Sequence, residues 1–134
     1  MAVHNFEDLE IWKLARKLTN AVYQLTSKDK FNKDFGLRDQ TRRASVSVLS
    51  NIAEGYERDG NKELLQFLSV AKGSCGEVRC QLYIASDQGY SNPEETEELI
   101  GQHRKLSIMI HEFMDYLKNS KFKGRKYINN GSNG

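Results

Sequence analysis

One stretch limits the possible folds more than any other: RRASVSVLSNIAEGYERDGNKELLQFLSVAKGSCGE, residues 42–77. It reads as two helices meeting at a polar turn, Glu57-Arg58-Asp59-Gly60-Asn61. On the first of them, Leu37, Ala44, Val48, Ile52 and Gly55 form one apolar stripe, and Val46, Leu49, Ala53 and Tyr56 form another on roughly the opposite side. Serines 45, 47 and 50 fill much of the remainder. A helix that is apolar on two sides and small elsewhere must be covered from two directions. In a chain of 134 residues, a second copy of the chain supplies the second cover most simply.

The other helices follow from the same period. Ile11, Ala15, Leu18, Val22 and Leu25 step by four and three, with Trp12 widening the seam and acids at Glu7 and Asp8 opening the helix. Residues 27–34 form a polar connection whose Phe31 should fold back onto the bundle, and Asp34 is placed to cap the second helix. Leu64, Leu68, Ala71, Cys75, Val78, Leu82 and Ala85 line the third, which carries a second stripe of Phe67, Val70, Gly73, Cys80 and Ile84. Gly73 and Gly76 each cost a helix about 1 kcal/mol relative to alanine, so close approach of a neighbouring backbone is expected there. Gly89 should end this helix, and Asn92-Pro93-Glu94-Glu95 starts the fourth, whose seam is Leu99, His103, Leu106, Ile110, Phe113 and Leu117. Four such helices with short connections predict an all-α, up-down-up-down antiparallel bundle over residues 1–120, followed by a basic tail over 121–134.

Composition removes several function classes. A net charge of +2 conceals an asymmetry: Lys118, Lys121, Lys123, Arg125 and Lys126 sit beyond Leu117 with no acid among them. Without these five, fifteen basic groups face eighteen acidic ones, and the body is −3. No apolar run approaches the ~20 residues of a membrane span, and MAVHNFEDLE lacks a signal-peptide pattern. Cys75 and Cys80, five apart on a helix, point to different sides. A soluble protein in a reducing, cytoplasmic setting is expected.

Catalytic chemistry is not expected either. Glu54 and Glu77 have no accompanying histidine, nucleophile or phosphate loop. His103 and His111 are too far apart to share a metal, and the Glu-x-x-His pairs of a di-iron bundle are missing from the sequence. Neither cofactor nor metal is expected. Asn51, Glu54 and Glu77 lie among apolar positions, and a buried carboxylate needs a partner. Folding the second and third helices back around the turn places Glu77 level with Arg42 and Arg43, with Arg104 nearby, so an Arg–Glu network is expected. For nucleic acid, the tail offers Lys118, Lys121, Lys123, Arg125 and Lys126 interleaved with Phe122 and Tyr127. Lys13, Arg16 and Lys17 form a second patch. Solubilising terminus and solvated face are the competing readings of these two groups. For self-association the candidates are Val46, Leu49, Ala53, Tyr56, Phe67, Val70, Gly73 and Gly76.

Three segments carry a family resemblance: FEDLEIWKLARKL, GLRDQTRRASVSVLSNIAEG and KELLQFLSVAKGSCGEVRCQLYIASDQGY. The chain resembles, over about residues 6–117, the four-helix-bundle proteins encoded in intervening sequences of 23S ribosomal RNA genes, relatives of the accessory proteins of diversity-generating retroelements. The resemblance implies a homopentamer with no established enzymatic activity. It also implies partnership with a reverse transcriptase or with an rRNA intervening sequence, through RNA or DNA binding. A scaffold that binds protein alone is the alternative. Where the family pattern has a proline before the NIAEG block, this chain has Leu49, which implies a straighter second helix.

Overall fold

A computed structural model describes residues 3–119, all helical apart from turns. A 3-10 turn at Phe6–Asp8 precedes α1 (Glu10–Thr26), α2 (Asp29–Lys33), α3 (Phe35–Glu57), α4 (Asn61–Asp87) and α5 (Pro93–Asn119). The acids expected to open the first helix stand in the 3-10 turn instead. Leu9 is extended (φ −71°, ψ 129°) and separates the two pieces. Asp8 accepts backbone hydrogen bonds from His4 and Asn5, both at 3.1 Å, and these N–H donors hold its carboxyl below the usual carboxylate range.

The helix ends follow the local chemistry of the sequence. The Asp34 carboxylate accepts the Leu37 N–H at 3.1 Å, capping α3. Asn92 Oδ1 accepts from Glu94 N (2.8 Å) ahead of Pro93 at the first position of α5. Gly89 takes φ +72°, with Tyr90 N bonded to Ala85 O and Gly89 N to Ser86 O, the paired bonds that close a helix into a left-handed glycine. Tyr90 then donates its hydroxyl to Asp34 Oδ2 at 2.9 Å, tying the end of α4 to the start of α3. The connection at 27–34 contains a five-residue helix, too short to show a period in sequence, and Phe31 on it is fully buried, as expected.

The long helices contact one another in a closed cycle: α1 with α3, α3 with α4, α4 with α5, and α5 with α1. The predicted seams form the core. Ile11, Ala15, Leu18, Val22 and Leu25 of α1, Ala44, Val48 and Ile52 of α3, all seven seam residues of α4, and Leu99, Leu106, Ile110 and Leu117 of α5 are buried. α3 runs unbroken through Leu49, as the missing proline implies. Small polar residues set the spacing between helices. Thr19 and Ser45 join α1 to α3 through hydroxyls 3.2 Å apart, and Ser47 and Ser74 join α3 to α4 at 2.9 Å. Gly55 marks the tightest approach: a Cβ there would lie 2.7 Å from the Phe67 Cβ and 3.1 Å from Leu64 Cδ1. Cys75 is buried and donates its thiol to the His103 carbonyl at 3.1 Å, and burial pushes its pKa up to about 11.

Candidate self-association and nucleic-acid surfaces

The second apolar stripe of α3 divides on folding. Val46 is 39% exposed, and Leu49 and Ala53 are half-buried at the surface. Tyr56 is a correction: it is fully buried inside the protomer, its hydroxyl 3.5 Å from the Val3 carbonyl, so it cannot meet a second copy. The N-terminal segment, whose role the helical period does not show, covers it. On α4, Val70 is 52% and Ile84 43% exposed, while Phe67 is half-buried with Arg58 stacked 5.1 Å from its centroid. Nothing lies within 4 Å of a Cβ built on Gly73 or Gly76. No neighbour within the protomer therefore requires these two glycines. If another copy packs over this surface, Gly73→Leu will reduce oligomer size in light scattering, because the new side chain would occupy the contact. A higher melting temperature with unchanged size would instead mark Gly73 as an ordinary exposed helical position.

The Arg–Glu network is a second correction. Glu77 is exposed on α4, and Glu54 pairs with Arg58 one turn along its own helix at 2.9 Å. Arg42 turns toward α1, donating from Nε to Thr26 Oγ1 (2.8 Å) and from Nη2 to Ser27 Oγ (2.9 Å). Arg43 is exposed, and Arg104 reaches the Tyr83 hydroxyl at 3.4 Å. Asn51 donates to the Ser47 carbonyl and hydroxyl, at 2.8 and 3.0 Å. The expected register is close, since Ser47 meets Ser74 about two residues from the anticipated level. Rotation accounts for the difference: Arg42 turns toward α1, while Glu77 stands exposed on α4.

His103 is buried, with Nδ1 2.8 Å from the Leu99 carbonyl, and burial lowers its pKa. Among the described residues no group of three His, Cys, Asp or Glu could hold a metal ion, and no helix is long and apolar enough to cross a membrane.

Of the basic candidates, Lys13 pairs with Glu10 at 3.1 Å, Arg16 stacks over Trp12 at 5.7 Å, and Lys17 is exposed. Lys118 is exposed at the end of α5, while Lys121, Lys123, Arg125, Lys126 and Tyr127 lie outside the described residues. Motif and period do not single out a further cluster at the start of α3. There Arg38 stacks over Phe35 at 4.9 Å and donates to Asn32 of α2, and Arg42 stacks over Tyr23 of α1 at 4.8 Å. Asp39 accepts from Arg38 at 2.9 Å, and that bond, aided by the charges of Arg43 and Arg42, holds its carboxyl below the usual range. A charge count in windows would have found the region, since residues 11–43 hold nine Lys and Arg against three Asp.

Comparison with known proteins places this architecture. A protein of unknown function from the S23 ribosomal protein family of Bacteroides thetaiotaomicron superposes with a TM-score of 0.71 at 15% identity, covering 78% of this chain and 97% of its own. That likeness concerns the fold. No curated protein matches the chain. The family model for 23S rRNA-intervening sequence proteins matches residues 7–112. The chain belongs to the 23S rRNA-intervening sequence protein family.

Proposed function

We propose that this protein is a non-enzymatic, homo-oligomeric four-helix bundle of up-down-up-down topology that binds RNA or DNA as an accessory or scaffold protein. The observation that carries the reading is the separation of charge: nine cations against three acids over residues 11–43, in a chain whose body is net negative. Such a separation gives a net-negative body a local positive field to attract phosphates. Self-association is supported by exposed Val70 and Ile84 on α4, by half-buried Leu49 and Ala53 on α3 and by the open space over Gly73 and Gly76. A ring needs two different, complementary patches on each copy, and the strips on α3 and α4 supply two. Five copies is the number the family resemblance implies. Two settings fit, an rRNA locus and a reverse transcriptase, and a reverse-transcriptase gene beside this one would select the second.

The tail takes part in this reading. Deleting residues 120–134 removes four cations and is expected to weaken binding of a structured RNA. It should also flatten the salt dependence, by a log–log slope of about 0.7 for each single-strand phosphate that the truncated protein no longer neutralises. Unchanged affinity and slope in a truncated, still oligomeric protein would leave the helices as the whole site. No binding at low salt by the full chain would favour a scaffold for protein partners, a reading supported by the exposed acids Glu94, Glu95, Glu97, Glu98, Glu112 and Asp115 of α5.

A further inference from the structure

We infer that the groove where α1 meets the start of α3 is a binding site for single-stranded nucleic acid, with Arg43 and Arg42 on the phosphates and with Tyr23 in the groove and Phe35 outside it, linked through Arg38, as stacking platforms for unpaired bases. This rests on the nucleic-acid reading above and assigns it a place on the bundle itself.

The groove encloses about 470 Å³ and is lined by Tyr23, Asp39, Arg42, Arg43 and Val46. Its charge is net positive, because the lining holds two arginines against Asp39, and Arg38 beside the groove already binds that carboxylate at 2.9 Å. Lys30 and Lys33 are exposed on α2, whose Asn32 accepts twice from Arg38 at 3.1 Å. Arg43 stands exposed, ready to meet a phosphate without first breaking an interhelical contact.

The aromatic rings decide which nucleic acid fits. Phe35 is 64% exposed and Tyr23 41%, each with a guanidinium within 5 Å of its centroid. Exposing a phenylalanine ring to that extent wastes apolar surface unless something covers it. A base can stack on such a ring only when it is unpaired, since in a duplex its faces are occupied by its neighbours. Arginine held beside the ring positions positive charge where the backbone of a stacked nucleotide would run. An acidic peptide could satisfy the arginines but would gain nothing from the rings.

The test uses the full chain and a fluorescein-labelled oligo(U) RNA of about 20 nucleotides, long enough to span groove and rim. Duplex RNA of the same length and polyglutamate serve as competitors. Arg43→Glu, Phe35→Ala and Tyr23→Ala are each expected to weaken binding by about tenfold or more, with Arg43→Lys restoring most of the loss. Lys105→Glu, at an exposed position on α5, is the charge-matched control and should have little effect. Circular dichroism and light scattering confirm that each variant keeps its helicity and size. If oligo(U) binds but these three variants bind equally well, the groove is overturned while nucleic-acid binding stands. If Arg43→Glu weakens binding, both ring variants are neutral and polyglutamate competes as well as RNA, the surface is a general anion site and the single-strand assignment fails. If no nucleic acid binds the wild-type chain at low salt, the underlying reading fails with it.

Discussion

Gly55→Val is expected to lower the melting temperature by roughly 10 °C. A Cβ at this position would sit 2.7 Å from the Cβ of Phe67, an atom fixed to the α4 backbone, so no rotamer change relieves the contact. Leu64 Cδ1, 3.1 Å away, closes the other side. α3 and α4 would have to separate just before their turn, loosening the packing that buries Ile52 and Leu68. Overpacking of this kind costs about 1–3 kcal/mol and sometimes more, against well under 1 kcal/mol gained from replacing a helical glycine with a β-branched residue. At roughly 4 °C per kcal/mol, the upper part of that range gives the stated shift. Thermal denaturation followed by circular dichroism reads it directly. A melting temperature equal to or above wild type would mean the two helices are not in this contact.

Phe31→Ala should have a still larger effect, about 3–5 kcal/mol, the usual cost of emptying a fully buried aromatic site. Phe31 is 0% exposed although its helix has only five residues, which could not hold together in water alone. Its ring packs 5.7 Å from Tyr90, and Tyr90 in turn bonds Asp34, the cap of α3. Removing the phenyl group therefore weakens the anchor of α2 and the tie between α3 and α4 together. Urea denaturation should show a lower midpoint, and hydrogen exchange should show α2 amides losing protection first. Full retention of both would show that α2 is not anchored through this side chain.

What the sequence reveals, and what it conceals, follows from the range of each interaction. The seams of α1, α4 and α5 are legible because a 3.6-residue period repeats over about four turns or more, and burial follows it closely. Caps at Asp34, Gly89 and Asn92 are legible because their chemistry lies within a few residues. Tyr56 defeats the helical period because its cover comes from Val3, 53 residues away. The Arg42–Tyr23 stack joins separate helices, and pairing it correctly requires the rotation of both about their axes. The same rotation separates Arg42 from Glu77, two residues that register alone sets level. Gly55 stands within a legible stripe, yet only the interhelical distance shows why it must be glycine.

The two cysteines differ in a way that makes the wild-type chain its own probe. Cys75, with its thiol buried and held protonated at neutral pH, should resist alkylation while the bundle stays folded. Cys80 is exposed on α4, one turn from Ile84 and two from Gly73. A maleimide dye would therefore mark one position per chain without any engineered residue. On mixing donor- and acceptor-labelled protein, energy transfer would report directly whether the α4 strips of different copies come together, and its rate of onset would give the lifetime of that association.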